Sequence, residues 1–364
     1  MSVIVAARRT AVAPAGGAFV ALSFHALSTP VILACLSDAG LDAAQVDEVI
    51  VGNALGAGGN PARLCALAAD LPEAVAGLSI DRQCVSGLDA ILLADTLIAA
   101  GRAEVVIAGG TESTSRRPLR LRTFPDGRSP EAYDQAAFTP WPDRDPAMAQ
   151  AADRLARALG ITRAAQDDWA VQSHAKTRTA GPAAEVVALA GLTQDAFTRV
   201  LTARTCARAR VLAGDVTAAN TAVAADAAAF VVVVSARIAK RLARPQARIV
   251  GGRTLGGQPD LPGLAPIAAA RRALQDAQLT ADDLAVAEIM EAYAVQAIAC
   301  VQGIGLDPAR VNIGGGALAR GHPIGASGAI NAVRLFHTLQ SRGGNGLAAI
   351  AAAGGIGTAL LLRV

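Results

Sequence analysis

Three short patterns recur in the same order roughly 240 residues apart, and this faint duplication constrains the fold more than any other feature of the chain. Leu36, Asp38, Ala39 and Leu41 return as Leu274, Asp276, Ala277 and Leu279, each set reading as a helix end before a turn. Ser86-Gly87 returns as Ser327-Gly328, both opening Ala-rich helical runs. Ala108-Gly109-Gly110 returns as Ala353-Gly354-Gly355, behind the apolar runs Val105–Ile107 and Leu347–Ile350. Strand-like runs at Glu48–Val51 and Val105–Ile107 alternate with a helical pattern over Leu88–Ala100 that Gly101 closes, which predicts an α/β fold with buried sheets. Duplication then predicts two such halves packed together: residues 1–115 with 211–247 as the first, and 248–364 as the second. The intervening 116–210 is richer in Arg, Pro, Asp and Gln, carries a helix from Arg163 to Arg178, and reads as an insertion.

With 364 residues, 52% hydrophobic but only 3% aromatic, the interior has to be built from Ala, Val, Leu and Ile, as stacked helices and buried parallel strands are. The net charge of +3 gives no ground for a nucleic acid or membrane-surface partner, though it leaves room for a local anionic ligand. Cys35, Cys65, Cys84, Cys206 and Cys300 lie far apart with no CxxC pair, which argues against a zinc site or a disulfide framework. The apolar start before Arg8-Arg9 is too short for a signal segment and reads as a first strand. Ala227–Ala236 is too short to span a membrane, and Leu347–Leu362 is broken by glycine. A soluble, cytoplasmic protein without a metal is the expectation.

Cys84 lies between a strand-like stretch and a helix beginning near Ser86. A thiol there meets the positive end of the helix dipole, which predicts a lowered pKa and a nucleophilic sulfur. Ser86 and Gly87 are small enough for a substrate to approach backbone N–H groups. The glycine-rich segment Asn312–Gly328 holds His322 between Gly321 and Pro323, in a fixed loop where it can take a proton from a nearby thiol. By position alone, a buried inert cysteine and a structural histidine are equally consistent with these residues.

These two segments, with Gly109-Gly110-Thr111-Glu112-Ser113 and Gly354-Gly355-Ile356-Gly357, closely resemble the thiolase family. The resemblance runs nearly end to end, through Val3–Ala11, Gly59–Arg63, Ser173-His174, Val216–Asn220 and Asp226–Ala229. It implies a thiolase-like fold of two αβαβα halves, with a loop domain inserted in the first that helps hold coenzyme A. It also implies an acyltransferase in which Cys84 is acylated after activation by His322, most simply an acetyl-CoA C-acetyltransferase of fatty acid metabolism. The backbone N–H groups of Cys84 and Ala353 would then hold the oxyanion. Met148, Arg199, Ala218, Ala222, Ala292 and Tyr293 fall at substrate or coenzyme A positions. The acyl-CoA is a substrate, no separate cofactor is implied, and a homodimer or homotetramer is.

Several departures fall on the chemistry. The family's second cysteine is Ala351, and the asparagine that orients an oxyanion-hole water is Met290 in Met290-Glu291-Ala292-Tyr293. A serine near coenzyme A is replaced by Ala222. Acylation of Cys84 does not need the second cysteine, so acyl transfer is expected to survive better than carbon–carbon bond formation. Cys300 and Glu291 are the spare proton carriers nearby in the chain, each otherwise a packing residue. The cluster Arg116–Arg122 meets phosphates or is a solvated loop, and His25, His174 and His337 carry no pattern. A thioesterase, a non-condensing acyltransferase and a non-catalytic coenzyme A-binding subunit stand as alternatives.

Overall fold

The computed structural model describes every residue except Met1, Ala57 and Pro182. Strands β1 (Ser2–Thr10), β2 (Glu48–Gly52), β3 (Ala76–Ile80), β4 (Val105–Ser113) and β5 (Ala225–Ser235) line up as β3-β2-β4-β5-β1. β2 is parallel to β3 and β4, and β5 is antiparallel to β4 and β1. The second half repeats this with β6 (Ala247–Gly256), β7 (Leu284–Ile289), β8 (Asn345–Ala352) and β9 (Ile356–Arg363), ordered β7-β8-β9-β6. Here one parallel pair, where the first half has two, is followed by two antiparallel pairs. The half-sheets join where Val3 of β1 faces Arg248 and Ile4 faces Ala247 of β6.

Alternation along the strands explains the layers. Val106 and Ala108 of β4, Val231 and Val233 of β5, and Ala348 and Ile350 of β8 all point into one core with helices α3 (Ser86–Ala99) and α8 (Ile324–Arg342). The opposite faces, carrying Val105 and Ile107 or Leu347 and Ala349, are covered from outside. Helices α1 (Phe24–Ala39) and α2 (Pro61–Ala68) cover the first half-sheet, and α6 (Ala265–Asp276) with α7 (Ala294–Ile304) cover the second. Both faces of each half-sheet are therefore dry, which is why these strands are apolar at nearly every position. Five layers result, α-β-α-β-α, with α3 and α8 in the middle.

The first of the three sequence repeats marks equivalent places. Gly40 ends α1 at φ 66° and Gln278, just past α6, adopts φ 54°, so both helices close on a left-handed residue. The third match is not equivalent. Gly354 and Gly355 form the positive-φ turn between β8 and β9, whereas Gly109 and Gly110 continue β4. A Cβ on Gly109 would meet Ala229 and Phe230, and one on Gly110 would meet Gly325, so these glycines serve close approach rather than turning.

Residues 116–210 contain α4 (Met148–Leu159) and α5 (Arg163–Thr179). A buried charge cluster ties this region to the halves. Arg9 of β1 donates to Glu185 at 3.2 Å and Asp195 at 2.6 Å, and Arg334 of α8 pairs with Glu185 at 3.1 Å. Arg9 and Arg334 hold the Glu185 carboxyl at about 2 despite its burial. Since its folded-state pKa lies below the ordinary carboxylate value, Glu185 adds stability above about pH 4.5 that drains away as pH falls toward 2. Urea titrations at pH 5.5 and 3 should show that loss. Arg9→Ala, which takes from buried Asp195 and Glu185 the guanidinium they share, should cost about 3–5 kcal/mol at pH 7 by the same measurement.

Candidate active site

Cys84 stands two residues before α3, and His322 stands two residues before α8. They are 238 positions apart and occupy corresponding places in the two halves. Because α3 and α8 pack together in the central layer, duplication of the fold itself brings their N-terminal approaches face to face. His322 Nε2 lies 3.2 Å from Cys84 Sγ.

The cysteine's turn is tightly held. Gln83 adopts φ 54°, uncommon for a residue with a side chain, and its backbone N–H and side-chain Nε2 both donate to Asp81 Oδ1 at 2.9 Å. Ser86 Oγ donates to Gln83 O at 2.6 Å and accepts from Arg82 N at 2.8 Å. Arg82 in turn pairs with buried Asp89 of α3 at 2.8 Å. The histidine is fixed on its other edge. Its backbone N–H donates to Val223 O at 2.7 Å, which docks the loop on the first half. Nδ1 lies 2.7 Å from Ser327 Oγ, whose own hydrogen goes to Pro323 O at 3.0 Å. Ser327 Oγ is thus the acceptor, Nδ1 carries the proton, and the Nε2 lone pair faces the thiol.

Burial governs the charge state. It pushes the Cys84 thiol up to about 12 and His322 down to about 4. The N–H groups of Cys84 and Ala353 oppose the first shift, while Glu112 and Asp81 add to it. The expectation of a lowered thiol pKa is therefore corrected: desolvation outweighs the helix terminus, and the resting pair is neutral thiol and neutral imidazole. His322 suits a base that receives the proton as sulfur attacks, rather than a partner in a preformed ion pair.

Both residues line a cavity of about 390 Å³. Met148, Ala151, Ala152 and Leu155 present one face of α4 to it, at the i, i+3, i+4, i+7 spacing of a helical stripe. Ala222, Ala292, Tyr293, Ala351 and Ala353 also line it. Ala353 stays outside the left-handed region, so its side chain does not prevent its N–H from facing Sγ. Burial pushes the Tyr293 hydroxyl to about 12, so it enters the cavity as a neutral donor.

Other anticipated residues lie elsewhere. Arg199 and Ala218 do not line this cavity. The Arg199 N–H donates to His174 Nδ1 at 3.2 Å and its guanidinium stacks 4.2 Å from the Phe197 ring. The Ala218 N–H bonds Arg210 O at 2.9 Å. Met290 is buried behind the His322 loop, beside Gly321 and Ser327. Neither spare proton carrier is available. Glu291 accepts from Trp169 Nε1, Asn312 Nδ2, Ser173 Oγ and Leu318 N, bracing the glycine-rich loop against α5. Cys300 is fully buried, donates to Gly263 O at 3.3 Å and does not line the cavity.

Arg117 and Arg120 were left undecided by sequence, yet both line the cavity, with Arg120 donating to Ala54 O at 3.0 Å. Leu55, Phe138, Thr221 and Gln296 join them without any sequence signal beyond their types. A larger cleft of about 760 Å³ lies at the Arg9 cluster. Its acidic groups are already paired with Arg9 and Arg334, so the smaller cavity holds the reactive groups.

If Ser327 sets the tautomer of His322, Ser327→Ala should slow iodoacetamide alkylation of Cys84 at pH 7 by about tenfold, the equivalent of one hydrogen bond of about 1.4 kcal/mol. An unchanged rate would mean that the loop alone orients the ring.

Comparison with known proteins agrees with this geometry. The family description "Thiolase, N-terminal domain" matches residues 2–237 and "Thiolase, C-terminal domain" matches 243–364. A putative acetyl-CoA C-acetyltransferase of Bacillus subtilis, YhfS, is 42% identical, with 100% of this chain and 99% of that protein aligned. An acetyl-CoA acetyltransferase of Cupriavidus necator is 40% identical over 99% of this chain and 98% of its own. Among solved structures, the Bacillus anthracis acetyl-CoA acetyltransferase superposes with TM-score 0.91 at 33% identity, covering 100% of this chain and 98% of that one. The Acat5 thiolase of Ascaris suum in complex with coenzyme A superposes with the same score at 29% identity, covering both chains fully. Matched in both halves and built around the same duplicated αβαβα frame, this chain belongs to the thiolase family.

Proposed function

We infer that the protein is an acyltransferase that moves acyl groups between coenzyme A thioesters, with acetyl-CoA as the simplest donor. The observation that carries this reading is the 3.2 Å contact between Cys84 Sγ and the lone pair of His322 at the wall of a partly apolar cavity. As Sγ attacks the thioester carbonyl, the S–H proton passes to Nε2. The carbonyl oxygen gains charge beside the N–H groups of Cys84 and Ala353. Collapse of that intermediate expels the coenzyme A thiolate, which takes the proton back from His322 and leaves acyl-Cys84. An incoming coenzyme A thiol reverses the sequence.

Carbon–carbon bond formation needs a further proton transfer at the α-carbon, where Ala351 offers no exchangeable proton. A positioned general acid or base is worth about 10²–10⁴ in rate. That step should therefore run slowly here, and Tyr293, held neutral by burial, can support it only as a hydrogen-bond donor. The thioesterase and non-catalytic alternatives gain nothing from this site. The reading includes a cytoplasmic homo-oligomer acting in fatty acid metabolism. Strand β3 at the sheet edge, with exposed Leu78 beside exposed Leu64 and Leu67 of α2, supports the oligomer.

Incubation with acetyl-CoA followed by intact-mass measurement should add one acetyl group to the wild type and none to Cys84→Ala. A wild-type protein that binds coenzyme A but stays unmodified would overturn the acyl-enzyme. Ala351→Cys should raise acetoacetyl-CoA thiolysis by at least tenfold while leaving the acetylation rate of Cys84 within about twofold.

A further inference from the structure

Glu112 is a carboxylate buried to 1% exposure at the seam between the two halves, and no step above uses it. Its oxygens accept four hydrogen bonds. Oε1 takes Asn53 Nδ2 at 3.0 Å and Leu55 N at 3.1 Å, and Oε2 takes Ala54 N at 3.1 Å and Gly325 N at 2.9 Å. All four partners are donors, so the site is shaped for the ionised group. Burial raises Glu112 to about 7, and the N–H groups of Gly325, Ala54 and Leu55 pull it back toward the charged form.

The placement of those donors matters. Gly325 is the second residue of α8, three beyond His322, and it belongs to the second half. Asn53, Ala54 and Leu55 follow β2 in the first half. Leu55 lines the cavity, and Ala54 O holds Arg120. One carboxylate therefore fastens the histidine-bearing helix start to the cavity wall of the half that carries Cys84. Glycines make the approach possible. A Cβ on Gly325 would lie 2.8 Å from Asn53 Cα, and one on Gly87 would lie 2.7 Å from Gly325 O. A Cβ on Gly110 would meet Gly325 as well.

We propose that Glu112 is a positioning residue for the acyl transfer inferred above, setting the Cys84–His322 distance by clamping the start of α8 onto the 53–55 loop. Without the clamp, the start of α8 is held to the first half by the His322 backbone bond to Val223 O and by packing between halves. A displacement of about 1 Å between reacting groups is enough to cost on the order of 10²-fold in rate.

Glu112→Gln tests this. Its amide NH₂ must face two of the four donors, so one side of the clamp opens while the volume is conserved. The expected result is a fall in kcat for acetyl transfer of about 10–100-fold, with KM for acetyl-CoA within about threefold. Iodoacetamide alkylation of Cys84 should slow in parallel. Glu112→Asp, which keeps the charge on a shorter arm, should recover part of both rates and stands in if the Gln variant does not fold. Asn53→Ala removes one of the four donors to Glu112 and leaves the Gly325 bond in place, so it should slow alkylation less than Glu112→Gln does. The proposal is overturned if a folded Glu112→Gln or Glu112→Asp protein alkylates Cys84 at the wild-type rate. Alkylation needs no coenzyme A chemistry, so it reports on Glu112 separately. Failure of wild-type Cys84 to be acetylated would instead defeat the acyltransferase reading.

Discussion

The structure depends on the packing of α3 against α8 between two half-sheets. Each helix buries an apolar face on its partner and on the strands above and below, with Leu88, Ile91 and Ala94 meeting Ala329, Ile330 and Val333 in one core. A fully buried Leu or Ile contributes roughly 1.5–3 kcal/mol, so several in one layer outweigh any polar contact at the seam. Gly87 and Gly328 let the two helix starts come together, since a Cβ on Gly328 would press on Leu88. Both reactive groups sit at the mouths of these helices, and the site is a by-product of how the halves meet.

That origin accounts for the electrostatics. A seam between halves excludes water, and exclusion of water pushes thiol and imidazole toward their neutral forms more strongly than a single helix terminus favours thiolate. The surroundings are correspondingly rich in fixed hydrogen bonds: Ser327 on the ring, Asp81 and Ser86 on the cysteine turn, Glu291 behind the glycine-rich loop and Glu112 beneath it. A proton that moves only during attack needs its two endpoints held, and these contacts hold them.

The departures from the family pattern look different in three dimensions. Ala351 faces the cavity, so what is missing there is a chemical group at the reacting centre. Met290 faces inward behind the histidine loop, where its thioether fills space. The two substitutions share a sequence signature and differ in consequence. At Ala353 only the N–H is needed, and its backbone stays outside the left-handed region.

The sequence by itself determined the duplication, the α/β class and the strand runs, while Cys84 and His322 stood out only through the resemblance of their segments to the thiolase family. The first three rest on local properties: apolar alternation, small residues at helix starts, and glycine where backbones touch. It paired Gly109-Gly110 with Gly354-Gly355 as equivalents, because glycine marks close approach as readily as reversal. It also assigned the thiol a lowered pKa, because a helix terminus is legible in sequence and desolvation is not. Only the tertiary structure decided that Glu112 and Glu291 are bound on every side, that Arg117 and Arg120 reach the cavity while Arg199 does not, and that Cys300 is sealed away. Those outcomes depend on which distant segments share a seam, and a carboxylate or guanidinium reads the same in sequence whether its partners are water or four buried donors.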